Sequence, residues 1–213
     1  MRRLIVNADD LGFSAGVNRG IVEAYERGIV TSASLMVEGP AAAEGVELAG
    51  DLPFGLHAVL DRGGELLVPP EECPRELERQ LARFRELAGR APTHLDSHHH
   101  IHRDPRLLPS FVAFAEEHAL PLREHDARHC SIFYGRWDDE SHPEQVGVES
   151  LLEILEEIDD GVTELGCHPG YADGLESSYT SEREHELRTL TDARVRAKVE
   201  ELGIELIGWN GLT

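Results

Sequence analysis

Short apolar runs alternate along this chain with longer stretches of helical periodicity, and no other feature restricts the fold as strongly. Strand and helix in strict alternation imply a parallel sheet with right-handed crossovers, open or closed into a barrel. Leu4 to Val6 run into Asn7-Ala8-Asp9-Asp10 and read as a short buried strand with a polar end. A helix follows, with Ser14 as its N-cap, Val17, Ile21 and Ala24 at helical spacing, and Gly28 at its C-terminus. Further strands are predicted at Ile29 to Val37, Phe54 to Leu60, Thr93 to Ser97, Leu120 to Arg123, Thr163 to Cys167 and Ile204 to Trp209. Helices are predicted at Ala41 to Leu48, Arg75 to Leu87, Arg106 to His118, Glu149 to Ile158 and Ser181 to Leu202. Polar residues able to do chemistry stand at the ends of four strands: Asp9-Asp10, His57, Asp96 to His98, and His168. A closed barrel collects its active site at such strand ends, which favours a single distorted (β/α) barrel of about seven parallel strands over a doubly wound sheet. The 213 residues suit one domain spanning residues 1–213.

Charge narrows the partners. Against 41 acidic residues stand 20 basic ones, of which only Lys198 is a lysine, for a formal charge of -21. The carboxylates are spread along helix-like stretches that also carry regular apolar positions, so they belong to a folded surface and not to a tail. Such self-repulsion needs screening, and the Debye length shrinks to about 3 Å at 1 M salt, so a salt-loving source is expected. The same charge argues against binding nucleic acid or anionic membrane and for a small neutral or cationic substrate. Met1-Arg2-Arg3 and the few apolar residues after them are too short for a secretion signal, and no apolar run approaches membrane-spanning length. Cys73, Cys130 and Cys167 are scattered and odd in number, so neither a disulfide framework nor a structural zinc site is indicated, and a cytoplasmic location is the expectation.

The candidate chemistry lies in four segments. His98, His99, His100 and His102 cluster mid-chain directly after a strand, where a purification tag would not be. If that segment stays extended, Asp96, His98 and His100 share one face and His99 takes the other. Asp9 and Asp10 point to opposite sides if their strand stays extended. A turn or capping pair would also read this way, whereas a hydrolytic metal site would use one carboxylate as ligand and the other as base. His57 alone resembles a satisfied core histidine, and His168 before Pro169-Gly170 is ambiguous by itself. Together, an aspartate and two histidines with coordination positions left open form a catalytic metal set.

Asn7-Ala8-Asp9-Asp10-Leu11-Gly12, Gly55-Leu56-His57, Thr93 to His102 and Cys167-His168-Pro169-Gly170 closely resemble, in order, the YdjC-like family of carbohydrate deacetylases. The likeness runs from Leu4 to about Ile207. It implies a distorted barrel, hydrolysis of N-acetyl groups from sugars, a divalent ion and a homodimer. The ion is magnesium by family habit, although two imidazoles favour zinc, manganese or iron by softness. Carried onto this chain, the resemblance makes Asp10, His57 and His98 the metal ligands, Asp9 the general base and His168 the acid. Arg123, His100 and Asp96 are expected to orient these groups or contact substrate, with a surface salt bridge as the alternative for Arg123. Relative to the family pattern, the segment from Asp61 to Pro74 is short and Ala58 stands where a larger residue is usual, so the pocket rim differs. Two other readings use the same residues: a metal-dependent phosphoesterase or amidohydrolase on a similar barrel, and a non-catalytic metal- or sugar-binding relative.

Overall fold

The structure, a computed structural model, describes residues 1–173, 175 and 177–212. Seven parallel strands build the main sheet: β1 (Arg2–Leu11), β2 (Ser32–Leu35), β3 (Phe54–Ala58), β4 (Leu95–Ser97), β5 (Arg128–Cys130), β6 (Gly161–Cys167) and β7 (Glu205–Leu206). Helices α1 (Ala15–Arg27), α2 (Ala42–Ala49), α3 (Cys73–Ala88), α4 (Leu108–His118) and α5 (Val148–Glu156) alternate with them, and α6 (Ser181–Leu190) and α7 (Ala193–Glu201) precede β7.

The strands run in the order β4-β3-β2-β1-β6-β5, with β7 paired to the start of β1. Central β1 is buried from Leu4 to Leu11, which is why it reads as an apolar run and does not alternate. Leu122 bridges Leu95 in parallel beside β4 and extends the curl toward β5. The result is an incompletely closed barrel whose strand ends face one cleft.

Three of the predicted elements differ most. Leu120 to Arg123 forms only the Leu122 bridge, and the strand instead lies at Arg128–Cys130, where the pattern is not apolar. There, His129 Nδ1 meets Glu164 Oε2 of β6 at 3.1 Å, so a polar pair stands in for an apolar contact. Ile29 to Val37 is strand only at Ser32–Leu35, its flanks being buried connections. Ser181 to Leu202 is two helices, because Asp192 is extended and its carboxylate accepts the Arg194 N–H at 2.8 Å as the N-cap of α7. Ser14 caps α1 as expected, accepting the Val17 N–H at 3.1 Å. Gly28 ends α1 with φ -111°, outside the left-handed region. Its small size matters for another reason: a Cβ there would sit 2.5 Å from the Leu190 carbonyl oxygen of α6.

Candidate active site

The register of the sheet places the chemistry. Ala8 of β1 pairs with Cys167 of β6, so Asp9 and His168 leave the sheet side by side. On the other side, His57 of β3 pairs with Asp96 of β4. Between Ala8 and Leu11 the register of β1 against β2 shifts, and Asp10 takes φ 72°. That conformation costs on the order of 1–3 kcal/mol in general and is better tolerated by aspartate than by most residues. It also overturns the expectation of opposite faces, because both carboxylates line the same cleft of about 560 Å³. The histidine segment breaks its alternation in the same way. His99 and His100 have φ 52° and 51°, so the chain coils after Ser97 and does not continue as a strand.

Asp10, His57 and His98 converge. Oδ1 of Asp10 lies 3.4 Å from His57 Nε2 and 3.2 Å from His98 Nδ1, and although buried it has no hydrogen-bond partner among the described residues. Its other oxygen accepts a hydrogen bond from Arg183 at 2.6 Å. His57 Nδ1 meets Asp96 Oδ1 at 2.8 Å, and a carboxylate in that position holds the ring so that Nε2 presents its lone pair. Burial disfavours the imidazolium of His57, but Asp96, Asp10 and Asp9 outweigh it and push the group up to about 10. A group of carboxylates that draws a proton onto a buried imidazole is also one that draws a metal cation, which would displace that proton. The residues therefore fit a divalent ion. Asp96 is itself fixed by Ser34 Oγ at 2.6 Å and by Arg123 at 2.9 Å. Asp96→Asn is expected to weaken metal binding, measured by calorimetric titration, by about 10- to 100-fold; unchanged affinity would remove Asp96 from the centre.

Arg123 is fully buried, which excludes both a surface salt bridge and direct substrate contact. Its guanidinium donates to both oxygens of Asp9 at 2.7 Å and to Glu164 at 2.8 Å, besides Asp96. Asn7 adds a hydrogen bond to Asp9 at 2.8 Å. Burial alone would raise the Asp9 carboxyl, but the charge of Arg123 prevails and holds it well below the usual range, ionised at neutral pH. His168 stands on the other flank, its Nε2 4.0 Å from Asp9 Oδ2. Burial pushes its imidazole down to about 4. The turn that carries it is pressed against α1: a Cβ on Gly20 would lie 2.4 Å from Gly170 Cα.

Sequence reasoning missed Arg183 and Glu186 of α6, which reach the site from beneath a run of charged residues. Their signal was weak, because Ser181 to Glu186 reads as a solvated helix face while Glu182, Arg183 and Glu186 are buried. The short segment from Asp61 forms a small ribbon, Asp61–Arg62 against Glu65–Leu66, and Asp61 meets His99 Nδ1 at 2.9 Å. His100 lines the cleft and, with His102 and Glu124, forms a second group with metal-ligating side chains. There, however, Glu124 is already held by the Arg103 guanidinium, at 2.8 and 2.9 Å from Nε.

A family model described as YdjC-like protein matches residues 3–201. A carbohydrate deacetylase of Geobacillus stearothermophilus is 37% identical over 240 residues, covering 97% of this chain and 96% of that protein. A chitooligosaccharide deacetylase of Serratia marcescens is 36% identical over 255 residues, covering 95% and 96%. Among solved structures, a protein of Enterococcus faecalis V583 named for cellobiose-phosphate cleavage superimposes with a TM-score of 0.88 at 28% identity, over 100% of this chain and 99% of that one. A family 4 carbohydrate esterase of Streptomyces lividans, in complex with acetate, shares the fold with a TM-score of 0.58 at 11% identity, over 96% and 91%.

Proposed function

We propose that this chain, which belongs to the YdjC-like protein family, is a metal-dependent hydrolase that removes N-acetyl groups from mono- or oligosaccharides. The observation that carries the reading is the unpartnered Asp10 oxygen facing two imidazole nitrogens, with a clamped carboxylate and a histidine beside it. The relatives named as carbohydrate deacetylases supply the substrate class.

Asp10, His57 and His98 would hold the ion, and one carboxylate with two imidazoles suits zinc or manganese better than the oxygen shell of magnesium. When bound there, such an ion supplies Lewis acidity, which polarises an amide carbonyl and makes water easier to deprotonate. The chain's own residues do the rest. Asp9 cannot turn away, because Arg123 and Asn7 fix its carboxylate, and it remains ionised and able to take a proton from the attacking water. His168 gives a proton to the sugar nitrogen, without which an amine is too poor a leaving group for the C–N bond to break. Arg183 ties Asp10 to the carbonyl of His168, with bonds of 2.6 and 3.4 Å, and so sets the spacing between ligand and acid.

A phosphoesterase with two ions would need another group in or beside the cleft, and an ion there would have to displace Arg103 from Glu124, or Arg123 from Asp9 and Asp96. Acetate release from N-acetylglucosamine and its short oligomers, assayed with zinc, manganese or magnesium and with a chelator, separates the readings. Metal-dependent release is the expected result. Phosphate release from phosphoesters in the absence of any acetate release would establish the rival, and inactivity on every sugar despite bound metal would point to a non-catalytic relative.

The charge of -21 leads to a further expectation, a protein from a salt-rich cytoplasm. Raising KCl from 0.1 to 2 M should raise Tm, because each kcal/mol of relieved repulsion is worth about 2–4 °C for a chain of this size. A flat or falling Tm would overturn it.

A further inference from the structure

We propose that Glu186 is a positioning residue for His168, and that the two form a carboxyl–imidazole pair sharing one proton, which His168 delivers to the leaving amine. The inference rests on the deacetylase reading above.

Glu186 is fully buried on α6. One of its oxygens accepts the backbone N–H of His168, and the other accepts the Tyr179 hydroxyl and lies 3.9 Å from His168 Nδ1. That nitrogen is buried without a hydrogen-bond partner among the described residues, whereas Nε2 faces Asp9 and the cleft. The ring of His168 is boxed edge-on by Tyr134 and Tyr179, which stack on each other 4.8 Å apart. Glu186 is therefore the acceptor available to Nδ1, and closing 3.9 Å to hydrogen-bonding distance is the tightening expected once substrate is bound.

Among the described residues no other cation pairs with this carboxyl. The groups facing the pair are Asp9 and Asp10 of β1, His57 of β3, Tyr134, Tyr179, and Arg183 one turn earlier on α6. Arg183 spends its guanidinium on Asp10 and on the carbonyls of His168 and Tyr179. A buried carboxyl without a cation either stays protonated or takes its counter-charge from a neighbouring imidazole. Burial pushes Glu186 up to about 8 and His168 down to about 4, so between those limits the pair holds one proton.

The proton count closes. As the C–N bond breaks, its electron pair stays on nitrogen, which takes the proton from His168 Nε2, while Nδ1 takes the proton of Glu186. The proton that Asp9 removed from water then returns to Nε2, and the Nδ1 proton goes back to Glu186.

Glu186→Gln tests the pair through the pH profile of kcat/KM and through two leaving groups. On N-acetylglucosamine oligomers at pH 7 we expect a loss of about 100-fold and a basic limb displaced to lower pH. On 4-nitrophenyl acetate, whose leaving group needs no proton, the loss should be at least tenfold smaller. Equal losses on both substrates, or an unmoved basic limb, would overturn the pairing. Nitrogen NMR of His168 in the wild-type protein gives a second readout that does not depend on the variant folding. Two titration steps bracketing neutrality support the pair, and one step near the ordinary histidine value overturns it. A wild-type protein inert on every amide would sink the deacetylase reading, while the NMR result would still decide the pair.

Discussion

Asp9→Asn should leave a folded protein that releases acetate about 10²- to 10⁴-fold more slowly, the range over which general acid–base groups act. The substitution keeps shape and one acceptor, so Arg123 retains a partner in addition to Asp96 and Glu164. It removes the negative charge that accepts a proton from water. Because Asp9 is not one of the three proposed ligands and its oxygens are already held by Arg123 and Asn7, metal affinity should change far less than rate. A variant with full activity, or one that loses metal and activity in proportion, would remove Asp9 from the role of base.

Arg123→Met should produce the largest loss of stability. In the wild type one buried guanidinium compensates Asp9, Asp96 and Glu164, all buried. Removing one partner of a buried ion pair costs about 3–5 kcal/mol, because the remaining charge stays buried and unpaired. For a chain of this size that corresponds to a Tm lower by about 10 °C. The pH dependence has a definite sign. In the wild type, burial raises the carboxyls of Asp9 and Asp96, but Arg123 outweighs it and holds both well below their ordinary values. Their contribution is present above the unfolded pKa and is lost only as pH falls through the depressed folded values, so the wild type should vary little from pH 5 to 8. Without Arg123, burial dominates and the folded carboxyls rise above their unfolded values. The variant then binds more protons folded than unfolded, and its stability should fall as pH rises across the same range. Urea unfolding at pH 5 and pH 8 measures this, and a variant as stable as the wild type at both would show that Arg123 is not the centre of the network.

Both residues also show how far the sequence was informative. That Asp9, Asp10, His57, His98 and His168 would meet at one cleft was legible because all lie at or near the ends of strand-like segments, and a parallel barrel turns strand ends into a site. Strand β1 was legible because it is buried on both faces and its Leu4 to Val6 read as a continuous apolar segment. Strand β5 was not, because His129 is satisfied by Glu164 across the sheet, and a polar pair leaves no hydrophobic pattern. The aim of Asp10 was hidden as well. It depends on one residue at positive φ where the register slips, and strand periodicity carries no trace of that. Arg183 and Glu186 were masked by their neighbours in α6, since a run of alternating charges reads as solvent-facing until tertiary contacts bury part of it. Arg123 stood just after a short apolar run, and only the curl of the sheet shows that its guanidinium lies among β1, β4 and β6.

The most direct test is an anomalous difference map from crystals of the protein soaked in manganese or zinc. The account predicts one strong peak per chain, bonded to Asp10 Oδ1, His57 Nε2 and His98 Nδ1 at about 2.0–2.2 Å for zinc. A peak on His100, His102 and Glu124 instead, or two strong peaks of equal occupancy, would contradict it.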